Sequence, residues 1–144
     1  MKRQALCLIS VLSLLLVVGS ASAQNMRVRA NVPFNFTVGS KSLPAATYDI
    51  QGLGSSGANT LLVTARDGSA CIIVRSNAAE GVKGADRTKL VFSRYRDQYF
   101  LSEIWVEGAT RGHHLPKTSR EKELAKELAH DLTQPRVEIV ASLY

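Results

Sequence analysis

Arg27-Val28-Arg29-Ala30-Asn31-Val32-Pro33-Phe34-Asn35-Phe36-Thr37-Val38 decides the fold class of this chain. Val28, Ala30, Val32, Phe34, Phe36 and Val38 are apolar, and Arg27, Arg29, Asn31, Pro33, Asn35 and Thr37 alternate with them. Strict period-two alternation is a β-strand with one buried and one wet face. Pro33 falls on the wet side and lacks an N–H, so it predicts a sheet edge or a bend there. Gly39-Ser40-Lys41-Ser42 reads as a turn, and Leu43-Pro44-Ala45-Ala46 leads into a short strand over Thr47 to Gln51.

Further along, Thr60 to Arg66 and Ser69 to Arg75 flank Asp67-Gly68, a strong hairpin signal because Gly accepts positive φ. Thr88 to Tyr95 and Gln98 to Val106 form a second hairpin around Arg96-Asp97. Its register stays open: a two-residue and a three-residue loop put Glu103 on opposite faces relative to Phe92. Residues 77–87 read as loop and 107–117 as irregular. Thr118 and Glu121 have capping-box spacing, and Leu124, Leu128 and Leu132 form a narrow helical stripe that Pro135 ends. Arg136 to Tyr144 alternates again as a closing strand. The expectation is a mainly β, single sandwich or barrel-like domain of about seven strands, with one C-terminal helix before the last strand.

The N-terminus is of a different kind. Lys2 and Arg3 precede an uncharged apolar run from Ala5 to Val18, then Gly19-Ser20 and Ala21-Ser22-Ala23. This is the pattern of a cleavable secretory signal over residues 1–23, cut between Ala23 and Gln24, with 24–144 as the working domain. The run is shorter than a membrane span. The protein is therefore expected to be exported, periplasmic or secreted, with no transmembrane segment once the signal is removed. Cys7 leaves with the signal, so Cys71 remains alone and no internal disulfide can form. In the apolar run Ala70-Cys71-Ile72-Ile73-Val74 it reads as a buried, inert thiol. Loss of Lys2 and Arg3 takes the formal charge from +6 to +4, spread rather than clustered, which argues against nucleic acid as a partner.

Few motifs survive inspection. Gly52-Leu53-Gly54-Ser55-Ser56-Gly57 matches a nucleotide-binding spacing, but a strand follows where a helix is required. Leu115-Pro116-Lys117-Thr118-Ser119 approaches a wall-sorting signal, but a charged helix follows it. His113-His114 and the distant His130 do not make a metal set, and no cofactor is expected. Asn35-Phe36-Thr37 is a glycosylation sequon on the wet face. No catalytic constellation appears; Glu103 is expected to pair with Arg94 or Arg96. Tyr95, Tyr99 and Trp105 are the candidate wall for an apolar or sugar-like ligand, and Leu124, Leu128 and Leu132 a candidate partner surface. The expected role is a non-enzymatic binding or envelope-associated protein with an unknown protein or envelope component as partner. The alternatives are a carrier holding a small apolar ligand in a barrel interior and an unrecognised hydrolase-like enzyme.

Three stretches carry a likeness: Asn31-Val32-Pro33-Phe34-Asn35-Phe36-Thr37-Val38-Gly39 with Leu43-Pro44-Ala45-Ala46-Thr47-Tyr48; Lys89-Leu90-Val91-Phe92-Ser93-Arg94-Tyr95 with Gln98-Tyr99-Phe100-Leu101; and Leu115-Pro116-Lys117-Thr118 with Glu121-Lys122-Glu123-Leu124-Ala125. Together they resemble a group of small exported bacterial proteins of unknown function, in which Gly is usual at the position of Ala46. The resemblance implies export and a single domain, and carries no chemistry.

Overall fold

A computed structural model describes residues 26–53, 59–129 and 135–144. The alternating segment forms β1 (Arg27–Val32), with Val28, Ala30 and Val32 buried as the pattern requires. At Pro33 the chain leaves this strand, and it re-forms as β2 (Phe36–Val38) in the other sheet. One expected strand is thus two, divided where the N–H is missing. Asn35 is exposed, and its Oδ1 accepts a hydrogen bond from the Ala45 N–H at 3.0 Å, closing the bend.

β3 (Lys41–Leu43), β4 (Ala46–Gly52), β5 (Thr60–Ala65), β6 (Cys71–Arg75) and β7 (Asn77–Glu80) follow. Then come β8 (Lys89–Tyr95), β9 (Gln98–Trp105), β10 (Arg111–His114), helix α1 (Ser119–Glu127), β11 (Arg136–Val140) and β12 (Ser142–Leu143). The first sheet has the order β12-β1-β4-β5-β6. The second has β11-β8-β9-β10-β7, with the β2–β3 pair joined to β9 through the parallel pair Thr37 and Phe100. Together they make a single β-sandwich-like domain rather than a closed barrel, with, among the described residues, one helix before the last strands.

Among the described residues the strands number twelve rather than the expected seven: the first and last alternating segments each divide between the two sheets, Lys41–Leu43 pairs as β3 where a turn was expected, and β7 and β10 carry no apolar alternation to mark them. Asn77-Ala78-Ala79-Glu80 and Arg111-Gly112-His113-His114 pair with each other as antiparallel strands, with an exposed Arg111–Glu80 ion pair at 3.8 Å between them. The Asp67-Gly68 hairpin forms with a wider loop than two residues: Ala65 N–H donates to Ala70 O at 2.8 Å, and Gly68 takes φ +76°.

The core lies between the sheets. Phe36 meets Tyr48 and Phe92 edge to face at 5.1 and 5.3 Å, with Ile50, Leu61, Leu90 and Ile104 buried around them. Each such side chain contributes about 1.5–3 kcal/mol. The Tyr48 hydroxyl donates to Pro44 O at 2.6 Å, so its polar end is satisfied.

The helix begins as its cap predicts: Thr118 Oγ1 accepts from the Glu121 N–H at 3.2 Å. It ends at Glu127, before Pro135, with Leu128 as C-cap. Leu124 is 2% exposed and packs with Tyr95 and Phe100 on the outer face of the second sheet; half-buried Leu128 joins them. Leu124 is covered by the chain's own sheet and is not offered to a partner. Leu132 and His130 lie outside the described residues, as do residues 1–25, with the expected cleavage position between Ala23 and Gln24, and residues 54–58 of the glycine-rich stretch.

Candidate functional site

Strand β9 carries the device that builds the site. The β8–β9 loop is Arg96-Asp97, with Tyr95 opposite Gln98 and Arg96 at φ 54°. Continued regularly, that register would set Glu103 beside Phe92 and Leu90 on the core face. Instead Phe92 pairs with Leu101 and Val91 with Glu103, so Ser102 is an extra residue: a β-bulge. Its carbonyl accepts from the Leu115 N–H at 2.8 Å. The bulge turns Glu103 and Trp105 to the outer face of the sheet while Ile104 stays in the core.

On that outer face Trp105 lies across glycines. A Cβ on Gly112 would stand 2.8 Å from the indole and 2.7 Å from the Ile104 carbonyl oxygen, and one on Gly81 would stand 3.4 Å from the ring. Only Gly leaves room for the ring to lie this close to the strands. The indole Nε1–H donates to Glu103 Oε2 at 2.9 Å, and Arg136 Nη1 donates to Glu103 Oε1 at 3.4 Å. Lys89, beside them, donates to Glu138 at 3.0 Å and approaches Asp86 at 3.7 Å. The Glu138 carboxylate is the main cause of the raised Lys89 pKa.

Residues 81–86 make the far wall. They are tied to 107–110 by Gly81 N–H to Thr110 O, Ala85 N–H to Ala109 O and Gly108 N–H to Ala85 O, at 2.8, 3.0 and 2.9 Å. Between this wall and β11 lies a cleft of about 420 Å³ over Val91 and Trp105, within the usual range for small-molecule sites.

The three candidate aromatics are thus separated. Tyr95 is buried under the helix, where its hydroxyl donates to Glu121 Oε1 at 3.2 Å. Tyr99 lies on the inner face and stacks on Phe34 at 4.1 Å. Only Trp105 lines the cleft, because the bulge inverts the facing of β9 beyond Leu101. Glu103 pairs with Arg136 rather than Arg94 or Arg96; Arg94 instead donates to Arg96 O at 2.8 Å.

Other chemistry-bearing groups have structural partners. Asp49 is held below the usual carboxylate range by its two hydrogen bonds from Arg29, at 2.7 and 3.0 Å, with the Tyr144 ring over that guanidinium at 4.2 Å. Ser76 Oγ lies 3.0 Å from His113 Nδ1, and burial lowers the imidazole pKa. Ser76 is 1% exposed and neither residue lines a described cleft, so this pair fastens the crossing between sheets. Cys71 is exposed on edge strand β6, not buried: its Sγ lies 3.7 Å from Thr64 Oγ1 on the open face of the first sheet. Among the described residues, no three His, Cys, Asp or Glu side chains converge as a metal site, and no helix is long and apolar enough to cross a membrane.

No family model, no curated protein and no solved structure matches this chain.

Proposed function

We propose that this chain is a non-enzymatic binding domain, exported after loss of residues 1–23, that holds its ligand in the cleft over Trp105. One observation carries the reading: an indole packed closely against Gly112 and Gly81 beside a walled cleft, on the sheet face that the helix leaves bare. Large aromatic area set among fixed polar groups is what ligand sites use. The carrier alternative lacks its barrel, since the space between the sheets is filled by Phe36, Tyr48 and Phe92. A hydrolase reading would want His113 beside Glu103 or Asp49. His113 instead turns to Ser76, and Asp49 lies on the other sheet.

The test is native mass spectrometry of the protein taken from its own envelope. The wild type is expected to start at Gln24, or its cyclised form, and to carry a retained molecule that Trp105→Ala loses. Retention of the same molecule by Trp105→Ala would remove the cleft from consideration, and Met1 on the mature protein would remove export.

A further inference from the structure

The cleft over Trp105 has a charge balance that restricts what fits it. Its charged lining is Lys83, Lys89 and Arg136 against Asp86, Glu103 and Glu138, a formal sum of zero. These are not idle charges. Arg136 and the indole N–H both donate to Glu103, and Lys89 lies between Glu138 and Asp86. An ionic ligand would find no net formal charge here and, except at Lys83, would have to break an existing pair to make its own.

The floor is equally selective. It is a sheet face rather than an edge: β8 is paired on both sides by β11 and β9, and β9 by β8 and β10. An extended peptide recognised through its backbone needs a free edge; neither floor strand offers one, and the sheet's edge strand β11 meets the cleft through the side chains of Arg136 and Glu138. Recognition therefore falls to side chains, arranged as adjacent donor–acceptor couples around one flat apolar ring. A hydroxyl both donates and accepts, so it can bridge an Arg136–Glu103 or Lys89–Glu138 couple without separating it. A ring with hydroxyls on its rim and C–H bonds on its face matches all of these features at once.

Resting on the reading of this cleft as the binding site, we infer that its ligand is a neutral saccharide. One pyranose ring stacks on Trp105, and its hydroxyls are shared by the Arg136–Glu103 and Lys89–Glu138 pairs.

The test uses Trp105 itself, the single tryptophan of the sequence, whose emission reports on this cleft alone. The mature protein is titrated with neutral cello-, malto-, xylo- and chito-oligosaccharides, with polygalacturonate, and with an uncharged extended peptide. At least one neutral oligosaccharide is expected to shift the emission saturably, with an affinity that does not change between low and high salt. Calorimetry with the same sugar should show a loss of about tenfold or more in Trp105→Ala and in Glu103→Gln, each still folded with a cooperative melt. A Trp105 response to polygalacturonate and to no neutral sugar would overturn the neutral character of the ligand, a response to the peptide alone would overturn the saccharide class, and either would leave the cleft standing. Sugar binding that Trp105→Ala does not weaken would overturn both. Silence of Trp105 toward every probe would overturn the saccharide class, and the retained-molecule experiment would then judge the cleft.

Discussion

The outer face of the second sheet has two halves, built from the same two strands and finished in opposite ways. Tyr95 and Phe100 lie at one end of β8 and β9, and Val91, Glu103 and Trp105 at the other. Helix α1 covers the first half with Leu124 and seals Glu121 beneath it, 5% exposed. The second half has its aromatic ring at the surface and each described carboxylate beside a cation. His114 stands between them: it is the register partner of Glu103, and its charge is also felt at Glu121. The contrast shows how one sheet face is assigned two tasks. Where the chain supplies its own cover, the aromatic is core. Where it supplies glycine underneath and charge pairs around, the aromatic is left for something else to cover.

The boundary between the halves is Ser102, and removing it is the most severe way to break the arrangement. Deleting this residue restores regular pairing beyond Leu101 and drives Glu103 and Trp105 toward the core face. A buried unpaired carboxylate costs several kcal/mol, comparable with the whole stability of a domain this size. The expected result is loss of near-ultraviolet circular dichroism and of a cooperative melt. A deletion variant that melts like the wild type would show that the bulge does not set the facing.

Leu124→Ala attacks the covered half alone. It should cost about 3 kcal/mol by chemical denaturation, since it empties a buried site against Tyr95 and Phe100. Leu128→Ala, at the frayed cap, should cost less than half as much. Equal losses would mean the helix is held along its whole length.

Gly112→Ala attacks the open half alone. The new methyl meets the Ile104 carbonyl as well as the indole, so the strand as well as the ring has to move. A loss of about 2 kcal/mol is expected, with a red shift of Trp105 emission. Unchanged emission would mean the ring does not rest on Gly112.

The smallest effect concerns Glu121, whose pKa is raised chiefly by burial, against the hydrogen bond from Tyr95 and the charges of Lys117 and His114. A raised carboxyl pKa in the folded state means that folding favours the protonated form. The associated stability is present below the ordinary value of 4.5 and is lost as pH rises through the folded-state value. Glu121→Gln keeps an acceptor for Tyr95 without the charge. It should match the wild type at acid pH and exceed it by less than about 1 kcal/mol at neutral pH. A variant less stable at neutral pH would mean the charge is wanted at the helix N-terminus.

The elements legible in the sequence were those with a local physical signature. The alternation of 27–38, the Asp67-Gly68 turn, the Thr118 cap and the strand character from Arg136 were readable, because periodicity and turn chemistry act over a few residues; the expected single closing strand is two, since the chain changes sheets at Ala141 without breaking the alternation. The site was only half legible. Trp105 was named with Tyr95 and Tyr99, and nothing in Phe100-Leu101-Ser102-Glu103 announces that Ser102 is the extra residue which parts them. A bulge depends on what the partner strand and the Leu115 N–H offer. Gly112 sat in a stretch read as irregular, because β10 has no apolar face to betray it. Cys71 failed for a related reason: in an unbroken apolar run neither face is marked, and at a sheet edge one of them is open.

The last described residues have a consequence in time. Strand β11 edges the second sheet and β12 edges the first, with only Ala141 between them. Strand β12 joins β1 by pairing Leu143 with Val28, almost the full described length apart. Neither sheet has its full set of described strands until residues 136–143 arrive. Pairing over such separations is slow, in the range of milliseconds to seconds for domains of this kind. Until it is done the flanks of β1 and β8 that β12 and β11 later cover are bare, both able to pair with a neighbouring chain. The interval between emergence of β1 and capture of Leu143 is thus the period of greatest aggregation risk for this molecule, and shortening it is the simplest route to a better-behaved protein.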